Sequence, residues 1–493
     1  MPAIRPHSPY RLALIAAALA AAPTLGSAQG PGRRHPPKAA RTAEGRGAER
    51  QAYELSQYPF GLHVIPRDLS GPIDIGARWT RHMVLWKQVE PRKGHIADLD
   101  RAVAGFNMLA DAGFDVLPRL ESANPWAHDE RINRMNSEAA AKGAPMGDWT
   151  YFGMPTDIPA YRKFLTTVVE SYDGDGKGDA PGLKKGVKYW EVENEWDWRW
   201  KDTPERFVEF LKIAYETIKA ADPEATVVLG GISKLAPDAF HAGLLGESVD
   251  IGGKVVTPQT LERQPAFQEE YPLRTYVLEH GHPYFDAISF HQYGRYPVIA
   301  KDVEYLRGIM RRRGYEKPLW MTEAGGPFTN AGETYSEDLQ AQEVVKYYVT
   351  ALASGVQVIF WSTYLPTPEW GTAFTNTALV DAGRREKPAY RSYKVMTSQL
   401  RDAGGVERLF GSERGQLVRF TRKGRGPVYV AWWDGARGGA GAAASDRIGS
   451  LLQKIEGRTL DVTWYDGTRQ SFTDPRGAGD RLLRKGPAFI EVR

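Results

Sequence analysis

Two acidic segments far apart in the chain contain the residues best suited to chemistry. The first is KYWEVENEWDWRW, Lys188 to Trp200, where an Asn194-Glu195 pair lies among further acids and four tryptophans. The second is LWMTEAG, in which Glu323 ends an apolar run. Two carboxyl groups meet the requirement of glycoside hydrolysis, because one attacks or stabilises the sugar centre while the other protonates the departing oxygen. We expect this chemistry only if the fold brings both acids together.

The elements needed to position these acids follow from the hydrophobic pattern between about residues 58 and 400. Short β-branched or aromatic runs alternate there with helical patterns, which is typical of parallel βα units. Eight units predict a closed (β/α)8 barrel, an α/β fold, within a domain of residues 51–404. The predicted strands are 61–65, 77–84, 114–120, 187–193, 225–231, 285–291, 317–323 and 356–362. Glu195 and Glu323 then follow or end strands four and seven, at the strand ends where barrel enzymes carry their sites.

The pattern changes after Gly404 to short alternating runs with turns between them, such as QLVRFTR and GPVYVAWW. This pattern predicts a C-terminal antiparallel β-sandwich domain over residues 405–493. The segment from Gly231 to Pro283 is long for one barrel unit and partly lacks a clean period. We therefore expect an insertion over the mouth of the barrel.

Several motifs together resemble the clan A (β/α)8 retaining glycoside hydrolases, and most closely the family 39-like enzymes. They are WEVENE, LWMTEAG, SFHQYG, FWS and GARWTRHMVLWKQVEPRKG, in the family's order between about Phe60 and Leu400. The resemblance implies that Glu195 is the acid/base and Glu323 the nucleophile of a double displacement. It also implies substrate-side roles for Asn194, which would bind the sugar 2-hydroxyl, for Arg81 and Tyr293, which would hold Glu323 ionised, for His291, and for Trp361 as the floor of the sugar site.

Two acids depart from the family pattern. Glu193 precedes Asn194 where the family often has an aromatic residue, and Glu121 lies after strand three. Either of them binds a positively charged sugar or pairs with a nearby Arg or Lys.

Tryptophans on a catalytic rim suit sugar binding, because indoles pack against the C–H faces of sugar rings. Trp126 and Trp196 are therefore candidate substrate contacts. The alternative for the Trp196 to Trp200 group is ordinary loop packing, since aromatic side chains fill cores more often than they bind ligands.

The turn DGDGKGD places Asp173, Asp175 and Asp179 at one, three and seven of a calcium-loop spacing. Lys177 and Lys184 occupy later positions where such loops have oxygen ligands. The alternatives are a structural Ca²⁺ site and a plain acidic turn; no cofactor is required for the predicted chemistry.

The N-terminus has the features of an export signal: flanking arginines, the apolar run from Leu12 to Ala22, and small residues before a cleavage point at Ala28. A Pro-, Gly- and Arg-rich linker over residues 29–50 follows. These features predict an exported protein, periplasmic or extracellular, without membrane insertion.

Charge and cysteine content exclude several classes of function. Residues 1–50 hold 8 basic and 2 acidic side chains, so the rest of the chain has 56 and 58, and nucleic acid is not an expected partner. With no cysteine, the chain has no disulfide and no thiolate metal site. The expected partner is a carbohydrate substrate. The alternative to a glycosidase is a carbohydrate-binding or adhesion protein that kept this fold without turnover.

Overall fold

The computed structural model describes residues 51–493 except 56–57, 98, 145, 252–253, 328–334, 369–370, 436–447, 449, 452–458, 474–481 and 484. The predicted signal segment and linker, residues 1–50, lie outside the described residues. Within the described part, no helix combines the length and apolar character needed to cross a bilayer.

Eight parallel strands close into a barrel, as predicted. They are β2 (Phe60–His63), β3 (Trp79–Leu85), β4 (Asp115–Glu121), β5 (Tyr189–Val192), β6 (Thr226–Ile232), β9 (Ala287–Tyr293), β10 (Leu319–Gly325) and β11 (Val356–Ser362). They pair in chain order, and β11 closes on β2. Each of the eight sequence-predicted strands corresponds to one of them.

Helices surround the barrel and bury one face each. In the helix Ile158–Tyr172, the buried residues Tyr161, Leu165, Val168 and Tyr172 recur at helical spacing, and Asp157 caps the first turn by accepting from the Ala160 N–H. The described α-helices are Ser70–Asp74, Trp86–Val89, Asp100–Asp111, Glu130–Ala141, Ile158–Tyr172, Trp196–Arg199, Pro204–Ala221, Ala236–His241, Pro258–Leu261, Pro265–His280, Pro297–Arg313, Glu337–Leu352, Thr372–Thr377 and Pro388–Leu400. Short 3₁₀ turns lie at Pro125–Ala127, Gly147–Trp149 and His282–Tyr284.

The long fifth unit contains an antiparallel hairpin of β7 (Val249–Ile251) and β8 (Lys254–Val256), followed by the helix Pro265–His280. The stretch without a clean period, residues 251–270, contains β8, the short helix Pro258–Leu261 and only the start of that long helix, so no single element is long enough to show one.

The predicted combination of a (β/α)8 barrel with a C-terminal antiparallel β domain is confirmed. The described strands of this domain form one sheet in the order β1-β12-β13-β14-β17-β15-β16. They are β1 (Gln51–Glu54), β12 (Ala403–Gly411), β13 (Gly415–Arg422), β14 (Arg425–Trp433), β15 (Leu460–Trp464), β16 (Arg469–Phe472) and β17 (Ala488–Val492). Strand β1 comes from before the barrel and pairs with β12, so segments from both sides of the barrel build this sheet.

The helix Glu337–Leu352 joins the sheet to the barrel. Twelve of its sixteen residues are buried. Gln416 of the sheet donates to Thr350 at 2.9 Å, and Lys346 forms a 2.8 Å ion pair with Asp434. The buried apolar cluster continues from the barrel helices into the sheet, so the two domains share one core.

Candidate active site

The interior of the barrel is layered because inward-facing side chains recur at every second strand position. The lower layer is apolar and includes Trp79, Leu117, Val228, Ala287, Trp320 and Phe360. Two positions further along, several strands carry polar side chains instead: Arg81, Arg119, Glu191, Ser289 and Thr322. All five are buried. The candidate site therefore lies on a layer of polar and charged side chains, beneath which lies the apolar layer.

Glu191 is the central acceptor of this charged layer. One carboxylate oxygen accepts from Ser289 Oγ at 2.9 Å, from Thr322 Oγ1 at 3.1 Å and from the Gly231 N–H at 3.2 Å. The other accepts from Arg81 Nε at 2.5 Å. These bonds satisfy a fully buried carboxylate and fix the Arg81 guanidinium in one orientation.

Glu323 receives two strong donors at the mouth of the barrel. Arg81 Nη1 donates to one oxygen at 2.6 Å, and the Tyr293 hydroxyl donates to the other at 2.6 Å. The pairing of β10 with β9 is irregular just after Met321. Thr322 and Glu323 both reach the barrel interior there, and such irregularities commonly re-aim side chains beside active sites.

The charge state of Glu323 follows from its surroundings. Burial alone would raise its pKa, but the basic side chains of His291, His63, Arg81 and Arg119 outweigh burial and hold the pKa well below its ordinary value. Burial lowers the pKa of His63 to about 3, so that ring is uncharged at neutral pH, and the guanidinium groups of Arg81 and Arg119 are permanent positive charges beside Glu323. Glu323 is thus an ionised carboxylate, as a nucleophile must be.

Glu195 lies on a turn of unusual backbone conformation. Its φ is 45° and that of Glu193 is 69°, both in the left-handed region that side chains with a Cβ rarely adopt. Such strain costs on the order of 1–3 kcal/mol and clusters at functional sites. Asp197, two residues after Glu195, anchors this turn, because its carboxylate accepts from Ser233 Oγ at 3.0 Å and from Arg274 at 3.3 Å.

Three residues converge where the reacting sugar would lie. His291 Nδ1 lies 3.0 Å from Glu195 Oε1 and 3.7 Å from Glu323 Oε2. A carboxylate oxygen of Glu195 lies within 4.8 Å of one of Glu323. This close approach of two carboxylate oxygens is compatible with the carboxyl spacing of about 5–5.5 Å in retaining glycosidases.

Gly231 makes room for His291. A Cβ built on Gly231 would lie 2.0 Å from His291 Nε2, so any side chain there would displace the ring. The glycine therefore fixes the imidazole between the two carboxylates.

The two acids that depart from the family pattern are both buried. Glu121 forms ion pairs with Arg119 at 2.6 Å and with Arg199 at 2.8 Å, which identifies it as a structural carboxylate. Glu193 accepts from the Ser122 N–H at 2.8 Å and has no exposed surface, so it does not face a substrate. Burial, reinforced by the charge of Glu121 and opposed by that of Arg199, raises the pKa of Glu193 to about 7.

Two of the predicted tryptophan contacts are wrong. Trp361 has no exposed surface; it points outward from β11, packs against Tyr347 and donates to the Thr377 carbonyl, because its neighbour Phe360 takes the inward position. Trp196 is also fully buried, stacked on Phe207 with its N–H on the Gly230 carbonyl.

Trp198, which belongs to the same predicted group of tryptophans as Trp196, is the one that contacts Glu195. Its half-buried indole donates to Glu195 Oε2 at 2.9 Å. Trp126 is half-buried and donates to the Glu90 carbonyl, so its subsite role stays a prediction. Asn194 lies beside the acids, accepting from Arg81 Nη2 at 2.8 Å.

Sequence reasoning missed Arg119 and Glu191. The available signal was their position in the strands. Arg119 lies two residues after the inward-facing Leu117, and Glu191 lies two residues after the inward-facing Tyr189, so both charged side chains also face the barrel interior.

Among the described residues, two groups of acidic or histidine side chains lie close enough to hold a metal ion. One is Glu195, His291 and Glu323, and the other is Asp173, Asp175 and Asp179. In the first group, the donors from Arg81, Tyr293 and Trp198 occupy carboxylate oxygens, an arrangement that fits acid–base and nucleophilic chemistry.

Replacing Arg81 with methionine should lower the free energy of unfolding by about 3–5 kcal/mol, because Glu191 and Glu323 would stay buried without their shared cation. Urea unfolding measures the change. The double variant Arg81→Met with Glu191→Gln should recover part of the loss, since one orphaned charge is removed. Arg162→Met, which removes a half-exposed ion pair with Glu216, is the control and should cost at most about 1 kcal/mol. A loss that small for Arg81→Met would contradict the buried-pair argument.

Glu193→Gln should change how stability depends on pH. The folded-state pKa of about 7 exceeds the ordinary 4.5, so the folded chain binds this proton more tightly. The resulting stability is fully present below about pH 4.5 and is lost as pH rises through 7. Glutamine mimics the neutral acid, so the variant should gain on the order of 3 kcal/mol relative to the original chain between pH 4 and 8. Thermal unfolding across this range, with exposed Glu304→Gln as control, tests it; parallel profiles would refute the shift.

No protein-family model matches the sequence, and no curated protein matches it significantly. Solved structures do match its fold. A family 39 glycoside hydrolase from the gut symbiont Bacteroides cellulosilyticus WH2 aligns with a TM-score of 0.58 at 18% identity, covering 88% of this chain and 81% of that one. A monomeric beta-xylosidase from Caulobacter crescentus CB15 aligns at 0.51 and 14%, covering 90% and 93%.

A glucosidase from Croceicoccus marinus aligns at a TM-score of 0.51 and 12% identity, covering 77% of this chain and 75% of that chain. At these identities the likeness concerns the fold. The chain therefore has the (β/α)8 architecture with an accessory β domain that is found in glycoside hydrolases, including one of family 39.

Proposed function

We propose that this protein is an exported glycoside hydrolase of the family 39 type that cleaves O-glycosidic bonds with retention of anomeric configuration. The observation that carries the proposal is the pair Glu195 and Glu323 at the mouth of the barrel, with oxygens within 4.8 Å and with different partners. Glu323 is bound by a guanidinium and a phenol, whereas Glu195 is bound by an imidazole and an indole.

In the first step, the ionised Glu323 attacks the anomeric carbon and the bond to the glycosidic oxygen breaks. Glu195 gives its proton to that oxygen, which leaves as an alcohol. In the second step, the Glu195 carboxylate removes a proton from water, and the resulting hydroxyl attacks the anomeric carbon and displaces Glu323. Two inversions leave the configuration unchanged.

The surrounding groups have defined parts in this scheme. Arg81 and Tyr293 hold Glu323 charged and aimed, and His291 lies between the two acids, where it orients Glu195. Asn194, fixed by Arg81, is placed for the sugar 2-hydroxyl. Trp198 offers the aromatic surface beside the acid/base.

The function is tested with a panel of oligosaccharides and aryl glycosides that includes xylosides and glucosides, the substrate types named for two relatives of similar fold. Products are identified by mass, and the first-formed anomer by NMR. We expect hydrolysis of at least one glycoside with retained configuration. Inversion would refute the double displacement. Binding of a glycan without release of any reducing end would support the non-catalytic carbohydrate-binding alternative.

Export is tested separately. Sequencing the N-terminus of the protein recovered from outside the cytoplasm should show cleavage after Ala28. Recovery of an intact N-terminus from the cytoplasm would contradict export.

A further inference from the structure

The acidic turn before strand β5 brings three carboxylates together. Asp173, Asp175 and Asp179 each offer an oxygen within 4.8 Å of the others. The turn connects the helix Ile158–Tyr172 to β5, whose end leads into Glu195. It lies outside the candidate active site, and nothing in the double displacement uses it.

One oxygen of this group lacks a hydrogen-bond partner among the described residues. It is Oδ2 of Asp173, a residue that is 1% exposed, whereas Oδ1 accepts from the Asp175 N–H at 3.2 Å. A buried, unpartnered carboxylate oxygen is costly unless a donor or a cation satisfies it. This atom is the observation that points to a ligand.

Hydrogen bonds within the turn fix its backbone and keep the three acids close together. Asp179 accepts from the Gly174 and Gly176 N–H groups at 2.9 and 2.8 Å, and Asp175 accepts from the Lys177 N–H at 2.7 Å. Gly174 has a φ of 72°, and a Cβ there would lie 2.6 Å from the Gly186 backbone, so only glycine fits.

The charge of the group is poorly compensated. Lys177 Nζ, on an exposed side chain, lies 3.6 Å from Asp175 Oδ2. The lysines between this turn and β5 pair with other acids: Lys184 with Asp111, Lys185 with Asp115 and Lys188 with Asp222. The convergent carboxylate oxygens, which lie within 4.8 Å of one another, repel one another in the absence of a cation.

We propose that Asp173, Asp175 and Asp179 bind one Ca²⁺ ion that braces the turn leading into the strand of the acid/base. Hard carboxylate oxygens on a flexible, glycine-rich turn suit Ca²⁺ better than Mg²⁺, which demands near-ideal octahedral geometry. Asp173 Oδ2 supplies the buried ligand, and Asp175 and Asp179 supply the outer ones. The role is structural, so it does not depend on the reaction at Glu195 and Glu323.

Calorimetric titration of the full chain, stripped with chelator, with CaCl₂ tests the site. We expect one ion per chain with a dissociation constant on the order of 10⁻⁴ to 10⁻³ M, typical of exported modules. Saturating Ca²⁺ should raise the melting temperature by about 2–4 °C, because an ion that binds only the folded state stabilises it. MgCl₂ at the same concentration should raise it less.

Two variants test whether these acids are the residues that bind the ion. Asp175→Asn keeps the acceptor for the Lys177 N–H but removes an exposed ligand charge, so both the heat and the thermal shift should disappear. Asp173→Asn should likewise abolish the calcium response while leaving the metal-free protein as stable or more stable, since a buried charge is removed. Asp402→Asn, in the turn before the sheet domain, is the control and should keep the full response.

The proposal is overturned if Ca²⁺ produces neither heat nor a thermal shift up to about 5 mM, well above the weakest such sites. It is equally overturned if Asp175→Asn responds like the original chain, because the ion would then bind elsewhere.

Discussion

Glu323→Gln should abolish glycoside hydrolysis, with kcat lower by on the order of 10⁴ to 10⁶. Glutamine keeps the volume, and its amide oxygen can accept from Arg81 while its NH2 group donates to the Tyr293 hydroxyl oxygen, but it cannot attack the anomeric carbon as a carboxylate does. The loss should appear with every leaving group, because forming the covalent intermediate requires the nucleophile. Initial rates on the best aryl glycoside of the panel measure it.

Rescue of a Glu323 variant by azide is a second test of its role. In Glu323→Gly, added azide should occupy the vacated space and attack the sugar once, giving a glycosyl azide of inverted configuration. Glu304→Gln, an exposed change on the helix Pro297–Arg313, is the control and should have normal rates. If Glu323→Gln kept more than about a tenth of the activity, the nucleophile would have to be another group.

Glu195→Gln should lower kcat by about 10²–10⁴ on substrates with poor leaving groups. Activated aryl glycosides, whose leaving groups need little protonation, should still react with Glu323. The covalent intermediate should then accumulate, because no base activates water for its hydrolysis. Intact-mass analysis would show one added sugar, and peptide mapping would place it on Glu323.

The control for Glu195 comes from the same turn. Glu193→Gln changes an acid two residues away that is fully buried, so it should keep activity within about tenfold. In Glu195→Ala, azide should restore turnover and give a glycosyl azide of retained configuration, the opposite outcome from Glu323→Gly. Equal losses for all leaving groups, without accumulation, would show that Glu195 is not the acid/base.

The barrel and the position of Glu195 and Glu323 at its mouth were predictable from sequence because each rests on a local pattern. Buried parallel strands are short apolar runs between helical patterns, and β11 was predicted at its observed bounds, Val356–Ser362. Glu195 and Glu323 come directly after or at the end of such runs. The fold then follows from the number of units, and the position of the acids follows from the direction of parallel strands.

What sequence could not give is the direction of each side chain near a strand end. Trp361 and Trp196 have the right composition for sugar binding but point into packed layers, while Trp198, two residues further on, reaches Glu195. The left-handed conformations of Glu193 and Glu195 break the alternation that would have assigned their faces. The fixed orientation of Arg81 depends on Glu191, which is 110 residues away in the chain, a pairing that no local pattern contains.

Strand β1 makes the sheet domain depend on residues that precede the barrel in sequence. Because residues 51–54 pair with β12, the sheet contains strands from before and after the barrel in sequence, and it packs against the helix Glu337–Leu352, which follows β10. Cutting the chain at residue 404 would leave β1 without its neighbour and expose a helix in which twelve of sixteen residues are buried. We therefore expect the barrel to lose stability when it is separated from the sheet.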